Sequence, residues 1–259
     1  MYSLFKSALF RINPEAAHDL TINSLQMLGQ CLGAGGPMPG RSCVIAGLQF
    51  ANPIGLAAGL DKDAQAVSGL SRLGFGHLEV GTVTPRAQSG NPKPRVFRLE
   101  EDNALINRLG FNNAGIDALV DRLTHQTYEG VIGVNIGKNK DTPNDAAYRD
   151  YVICIKKAAF VADYISVNIS SPNTPGLRDL AEAAKILDVI KPVLEARSDL
   201  KNRKSAYLPV FVKLAPDFFD AGLRRVLEAL KETSVDGVIL TNTTVSRDGL
   251  LSPHREEAG

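Results

Sequence analysis

Residues 164–176 read Tyr-Ile-Ser-Val-Asn-Ile-Ser-Ser-Pro-Asn-Thr-Pro-Gly, an apolar run that ends in hydroxyls, amides and prolines. Val and Ile favour extended backbone, so Tyr164–Ile169 is predicted to form a β-strand. Pro172 and Pro175 cannot continue it, because proline has no backbone N–H for the ladder. A polar loop therefore follows the carboxyl end of this strand, the position at which parallel α/β folds bind their ligands.

The same order, an apolar strand followed by a polar end and a helical stretch, recurs along the chain. The predicted strands are Ile54–Ala58, Leu78–Val80, Val131–Ile136, Tyr164–Ile169, Val210–Val212 and Val238–Leu240. The predicted helices are Ala64–Leu73, Ile116–His125, Tyr148–Phe160, Ala181–Ala196 and Ala221–Glu232. This alternation of strands and helices predicts an α/β fold with a parallel sheet.

Two further segments lie outside the alternation. Residues 43–51, with Ala46-Gly47-Leu48 at the turn, predict a short hairpin. Asn103–Gly115 is predicted to be a long polar loop inserted after the second strand. Long loops in compact domains are usually functional or disordered, and the amides and single aromatic residue of this one favour function.

Residues 1–36 differ in composition from residues 37–259 and are predicted to form a separate helical extension. Apolar residues at helical spacing predict a first helix: Leu4, Phe5, Ala8, Leu9 and Ile12. Asn13 and Pro14 mark the start of a second helix, which a glycine-rich stretch from Gly33 ends. Two interpretations stay open here: a helix pair packed on the main domain, or an amphipathic pair at a membrane surface.

Composition narrows the range of functions. The 259 residues carry a net charge of +1, which offers no electrostatic footprint for nucleic acid. The three cysteines and four histidines show no metal-ligand spacing, so no metal site is predicted. An odd number of cysteines without a secretory signal favours reduced thiols and a cytoplasmic setting. No apolar run reaches the roughly 20 residues that a membrane-spanning helix needs.

The carboxyl ends of the predicted strands carry amides, hydroxyls and two lysines. They are Lys62, Thr82, Asn135, Asn168, Lys213, Thr241 and Asn242, to which the loops add Asn107, Ser171 and Asn173. A single asparagine at a strand end usually caps a turn, but recurrence at several ends predicts a ligand site. Amides offer planar donor and acceptor pairs that suit a flat heterocycle. The lysines suit an anionic ligand and can stabilise negative charge that develops on a ring.

Several enzyme classes lack support. The chain has no carboxylate pair of the glycosidase kind, no P-loop and no Gly-x-Gly-x-x-Gly fingerprint. An amide-rich site without strong acids fits redox chemistry in which a bound cofactor carries out the difficult step.

Seven segments, in order, match those of a known family. They are residues 52–63 (NPIGLAAGLDKD), 79–85 (EVGTVTP), 106–113 (INRLGFNN), 135–139 (NIGKN), 168–176 (NISSPNTPG), 212–217 (VKLAPD) and 241–244 (TNTT). With these segments the chain closely resembles the class 2, quinone-dependent dihydroorotate dehydrogenases. The resemblance implies a (β/α)8 TIM barrel that oxidises (S)-dihydroorotate to orotate in pyrimidine (UMP) biosynthesis. One FMN per chain would accept the hydride, and a membrane quinone would be the final electron acceptor.

The resemblance also assigns roles to residues. Ser171 would be the general base that takes the C5 proton; the class 1 enzymes use cysteine instead. Phe111 and Thr174 would shape the proton path. The flavin contacts would be Ala57, Ala58, Gly59, Leu60, Asp61, Lys62, Thr82, Asn135, Asn168, Lys213 and Thr241. The dihydroorotate contacts would be Lys62, Asn107, Arg108, Leu109, Gly110, Phe111, Asn168, Asn173, Asn242 and Thr243.

For the N-terminal extension the resemblance favours a hydrophobic quinone tunnel and peripheral contact with the cytoplasmic face of the cell membrane. Leu4, Phe5, Leu9, Leu20 and Leu28 would carry that contact. His18 and Arg98 match positions that the family places near the quinone. A histidine on a helix surface and an arginine in a loop remain the alternatives for these two.

The chain departs from the family in strand number. Six strands are predicted where the barrel has eight, and barrels commonly bind phosphate in the loops after strands 7 and 8. The chain is therefore expected to be C-terminally incomplete, with open strand edges and weak retention of FMN. The alternatives to the enzyme are an inactive barrel fragment or binding module, and a related flavin barrel acting on another pyrimidine.

Overall fold

The computed structural model describes residues 6, 9–171, 173, 177, 183–200, 207–217 and 220–259. The strands among them are β1 (Cys43–Ile45), β2 (Leu48–Phe50), β3 (Gly55–Leu56), β4 (His77–Val83), β5 (Val96–Leu99), β6 (Ala104–Asn107), β7 (Val131–Ile136), β8 (Tyr164–Asn168), β9 (Val210–Leu214) and β10 (Gly237–Leu240). The α-helices are α1 (Pro14–Leu32), α2 (Val67–Leu70), α3 (Ile116–Thr124), α4 (Ala147–Ala158), α5 (Ala183–Leu200) and α6 (Asp220–Lys231).

The main sheet has six parallel strands in the order β3-β4-β7-β8-β9-β10. Sequential strands are neighbours once the β5–β6 ribbon is set aside, so the sheet curls into part of a (β/α)8 barrel. This confirms the predicted α/β fold. Within the described residues β3 and β10 are the edges of this sheet, as the six-strand prediction required.

Alternate residues of these strands face opposite sides of the sheet. One side packs on the helices: Leu78, Val134 and Val167 lie in one buried cluster with residues of α3 to α6. The other side, inside the curl, carries polar groups such as Glu79 and Lys213, which are buried as well. Burial on both faces explains why β8 and β9 are buried along their whole length.

The second predicted helix is confirmed as α1. The Asn13 side chain accepts hydrogen bonds from the backbone N–H of Glu15 at 2.9 Å and Ala16 at 3.3 Å. Pro14 occupies the first helical position, where its missing N–H costs nothing. Leu4, Phe5 and Ala8 of the first predicted helix lie outside the described residues. None of the helices in the described part of the chain is long and apolar enough to cross a membrane.

The helix predicted over Ala64–Leu73 was too long. Only Val67–Leu70 is α-helical, and a 3-10 turn, Ser71–Leu73, follows. Ala64 has φ +55°, a left-handed backbone that cannot begin an α-helix. The predicted hairpin is confirmed as β1 and β2, with Leu48 in the second strand rather than in the turn.

The prediction of a loop over Asn103–Gly115 was wrong for the first residues of this segment. Ala104–Asn107 is strand β6, which pairs antiparallel with β5. Phe97, Leu99 and Ile106 form a small buried cluster separate from the main core. The ribbon is only four residues long on each side, and the turn uses Asn103 at φ +49°, a conformation that asparagine tolerates.

Two glycines bring α1 against α2 at backbone contact. A Cβ on Gly69 would lie 1.9 Å from the Leu25 carbonyl oxygen, and one on Gly29 would lie 2.7 Å from the Gly69 nitrogen. We expect Gly69→Val to lower the free energy of unfolding by about 1–3 kcal/mol, the usual cost of overpacking, because the opposing atoms are backbone. Urea unfolding measures this loss, and amide exchange in α1 shows whether the helix separates. Gly36→Ala is the control, since a Cβ there meets nothing within 4 Å; an equal loss in both variants would contradict the prediction.

Candidate active site

A cavity of about 230 Å³ lies at the carboxyl ends of the parallel strands. Every residue that lines it is one of the predicted site residues: Ala58, Gly59, Lys62, Thr82, Asn107, Leu109, Gly110, Phe111, Asn168, Ser171, Asn173, Lys213, Asn242 and Thr243. The fold therefore gathers at one place residues that are up to 185 positions apart, since 243 − 58 = 185.

The other predicted ligand contacts do not line this cavity: Ala57, Leu60, Asp61, Arg108, Asn135 and Thr241. The Asp61 carboxylate is buried and accepts the backbone N–H groups of Gln65 and Ala66, both at 2.8 Å. Arg108 pairs with Glu257 at 2.8 Å and stacks over the Phe97 ring. The side chains of Asp61 and Arg108 are thus engaged in holding loops together.

Ser171 lies three residues beyond the end of β8 and is 6% exposed. Its Oγ accepts a hydrogen bond from the Asn173 backbone N–H at 3.2 Å. Asn173 in turn donates from Nδ2 to the Asn107 carbonyl at 3.1 Å, which joins the serine loop to the insertion. Pro172, Thr174, Pro175 and Gly176 lie outside the described residues.

The insertion beside Ser171 is held in an unusual conformation. Gly110 and Phe111 have φ +70° and +54°, and a bulky residue at positive φ is strained. The Gln88 side chain fixes both residues, because its Nε2 donates to their carbonyls at 3.0 and 3.1 Å. Phe111 thereby reaches the cavity wall next to Gly137.

Two lysines give the cavity its positive charge. Lys62 donates to the Gly59 carbonyl at 3.0 Å. Burial lowers the pKa of the Lys62 ammonium below its usual value, and the nearby Asp63 carboxylate opposes that change. Lys213 is 7% exposed and forms no hydrogen bond or ion pair among the described residues. Because Lys213 lines the cavity, its ammonium is available to an anionic ligand.

A second cavity, of about 510 Å³, lies between α1 and the β5–β6 ribbon. It shares Gly59, Lys62, Asn107 and Leu109 with the first, and most of its other wall is apolar. His18 and Arg98 both line it. His18 Nε2 hydrogen-bonds to the Leu60 carbonyl at 2.7 Å, and Arg98 donates to the Ile12 carbonyl at 2.8 Å.

The family model of dihydroorotate dehydrogenase matches residues 42–258. The chain belongs to this family. Relatives named dihydroorotate dehydrogenase (quinone) from Marinobacter nauticus and Pseudomonas fluorescens are 49% and 48% identical over 264 residues. These alignments cover 100% of this chain and 77% and 78% of the relatives. The match identifies the chain as a class 2 dihydroorotate dehydrogenase and therefore as an enzyme.

Solved dihydroorotate dehydrogenases have the same fold. The Eimeria tenella enzyme in complex with ferulenol superposes with a TM-score of 0.86 at 39% identity, covering 95% of this chain and 71% of that one. Its ligand-free form gives a TM-score of 0.84 at 40% identity, covering 95% and 74%. The six parallel strands described here therefore correspond to part of the barrel fold of the dihydroorotate dehydrogenases.

One buried carboxylate of this dihydroorotate dehydrogenase was not predicted from the sequence. Glu79 lies in the middle of β4, is 4% exposed, and accepts hydrogen bonds from Asn135 and Tyr164. A lone carboxylate inside the apolar run His77–Val83 was the available signal, because a buried carboxylate needs donors from other strands.

Proposed function

We propose that this enzyme oxidises (S)-dihydroorotate to orotate with FMN as hydride acceptor and a membrane quinone as final electron acceptor. Membership of the quinone-dependent dihydroorotate dehydrogenases supports the overall reaction, a step of pyrimidine biosynthesis. The Lys213 ammonium, which has no hydrogen-bond or ion-pair partner in the described part of the chain, lies in a cavity of amides and hydroxyls, and this observation carries the proposal.

The residues present fit a flavin. Its dioxopyrimidine ring alternates carbonyl and N–H groups, which amide and hydroxyl side chains can pair. Thr82 and Asn168 supply such groups on the cavity wall, and Lys213 supplies the cation for an electron-rich ring. Bound FMN would supply a two-electron acceptor for the C6 hydride.

The other steps belong to the chain's own side chains. Ser171 Oγ would take the C5 proton and pass its own hydroxyl proton to solvent along the proton path that Phe111 would shape. The C6 hydrogen would leave as hydride with the C6–H bonding pair, and the C5–H bonding pair would form the C5=C6 double bond of orotate. Asn107, Asn173 and Asn242 would orient the pyrimidine ring, and Lys62 would face its carboxylate. Ser171 itself is largely shielded from solvent, since it is 6% exposed.

The apolar cavity lined by His18 and Arg98 would admit the quinone. It shares Gly59 and Lys62 with the cavity that Ser171 and Lys213 line, which we call the reaction cavity. The exposed apolar side chains of α1, among them Leu20 and Met27, would contact the cytoplasmic face of the membrane that supplies the quinone.

Anaerobic titration of the native protein tests the proposal. With FMN supplied in excess, dihydroorotate is expected to bleach the flavin band at about 450 nm, and a quinone in vesicles is expected to restore it. Dihydrouracil, which lacks the carboxylate, is the control and should bleach the band far more slowly. A flavin band that dihydroorotate leaves unchanged, or equal rates with both pyrimidines, would contradict the proposal.

A further inference from the structure

Glu79 is a buried carboxylate that receives a donor on each oxygen. Asn135 Nδ2 donates to Oε1 at 2.8 Å, and the Tyr164 hydroxyl donates to Oε2 at 2.9 Å. Burial, and then the Glu79 carboxylate itself, raise the pKa of Tyr164 well above its usual range. The hydroxyl therefore keeps its proton and acts as a donor.

A glycine allows this contact across a strand. Glu79 pairs with Gly133 in the β4–β7 register, and Gly133 pairs with Tyr164 in the β7–β8 register. A Cβ on Gly133 would lie 2.1 Å from Tyr164 Cζ, so the tyrosine ring passes over the glycine to reach Glu79. Three neighbouring strands thus meet at one carboxylate inside the curl of the sheet.

The hydrogen bonds that start at Glu79 have a defined direction. A carboxylate only accepts, so it takes the NH2 end of the Asn135 amide. That end also donates to Ser166 Oγ at 3.0 Å, which leaves the Asn135 oxygen for the Thr82 hydroxyl at 2.5 Å. Thr82 has then used its one proton and accepts from Asn168 Nδ2 at 2.8 Å.

The last amide in this series faces the ligand cavity. Asn168 Oδ1 accepts from the Ser170 hydroxyl at 2.9 Å and from Asn242 Nδ2 at 3.4 Å. Thr82 and Asn168 line the reaction cavity, whereas Glu79 lines a different cavity of about 340 Å³ inside the sheet. The groups offered to a ligand are therefore oriented by a residue that lies behind them.

We propose that Glu79 is a positioning residue that sets the direction of the series Asn168–Thr82–Asn135 and so decides which amide ends and lone pairs a flavin meets. This inference rests on the proposed function, in which FMN occupies the cavity. With a neutral amide at position 79 the series has no fixed acceptor at its end. Both directions of the hydrogen bonds then become available, and the polarity that Thr82 and Asn168 offer the ring is no longer defined.

The test uses the native flavoprotein after dihydroorotate has been shown to bleach it, which separates this inference from the proposed function. Glu79→Gln is expected to shift the flavin absorbance spectrum and midpoint potential and to weaken FMN binding roughly tenfold. Tyr164→Phe is the matched control: it also removes one hydrogen bond to Glu79, yet it leaves Asn135 donating to the carboxylate. Its flavin spectrum and potential should stay at the wild-type values.

A conservative variant completes the test. Glu79→Asp retains a carboxylate, which can only accept hydrogen bonds, so the direction at Thr82 and Asn168 is expected to persist. We expect the flavin spectrum and midpoint potential of Glu79→Asp to stay at the wild-type values, and this measurement stands also if Glu79→Gln does not fold. Equal shifts in Glu79→Gln and Tyr164→Phe, no shift in Glu79→Gln, or an altered spectrum in Glu79→Asp would each overturn the proposal.

Discussion

Ser171→Ala is expected to lower kcat for dihydroorotate by about 100- to 10,000-fold, the usual contribution of a positioned general base. Ser171 Oγ lies on the wall of the reaction cavity, and its surroundings exclude most solvent. Removal of the hydroxyl leaves the C5 proton without a protein acceptor. FMN binding should be unchanged, because none of the proposed flavin contacts is altered. Stopped-flow bleaching by dihydroorotate and flavin content measure the two effects.

Ser171→Cys is the control for that loss. A thiol has an ordinary pKa of about 8.5, far below that of a serine hydroxyl, so the variant retains a base. It should keep measurable turnover, with a pH profile that rises at lower pH than in the wild type. Wild-type bleaching rates in Ser171→Ala would show that another group takes the proton.

Arg95→Met is expected to lower the free energy of unfolding by about 3–5 kcal/mol, because it leaves a buried carboxylate without its partner. Arg95 Nη2 lies 2.7 Å from Glu15 Oε1, and the two side chains are 6% and 11% exposed. Arg95 also donates to the Asn91 carbonyl at 2.8 Å, which links α1 to the loop beside the reaction cavity. Chemical unfolding monitored by circular dichroism measures the loss.

Lys93→Met is the matched control, since Lys93 pairs with the same carboxylate at 3.2 Å but is 62% exposed. An exposed pair contributes only about 0–1 kcal/mol, so the loss should be small. Equal losses in the two variants would contradict the role assigned to burial.

Because of the same ion pair, the free energy of unfolding is expected to depend on pH. Burial raises the pKa of Glu15, but hydrogen bonds and charges from Arg95 and Lys93 outweigh it, so the pKa is lowered overall. A depressed pKa contributes stability above the unfolded value of about 4.3, and this is lost as pH falls through the folded value. The difference in unfolding free energy between wild type and Arg95→Met should therefore shrink in that acidic range.

Much of the candidate site was accessible from the sequence because parallel strands share one edge. Thr82, Asn168 and Lys213 each end an apolar run, and strands that run in the same direction bring their ends together. The insertion was harder, because the four-residue strands β5 and β6 give too short a pattern to separate from a loop. The start of α2 could not be predicted from the sequence either. The left-handed backbone of Ala64 delays the helix, and this conformation belongs to the loop that the Asp61 carboxylate holds.

The sequence by itself determined the order of the six parallel strands and the helices between them, the cap of α1 and the edge of the sheet that holds the polar groups. These features follow from local patterns, since apolar periodicity and turn chemistry act over a few residues. The seven matching segments indicated the family. Ser171, in the loop after β8, lines the cavity.

Only the tertiary structure decided which distant side chains pair. Arg95 and Glu15 are 80 residues apart, and Glu79 and Tyr164 are 85 residues apart. The Glu79–Tyr164 contact depends on strand register and on the glycine that lets Tyr164 cross β7, which no local pattern encodes. The direction of the hydrogen bonds behind the cavity is therefore a property of the folded sheet.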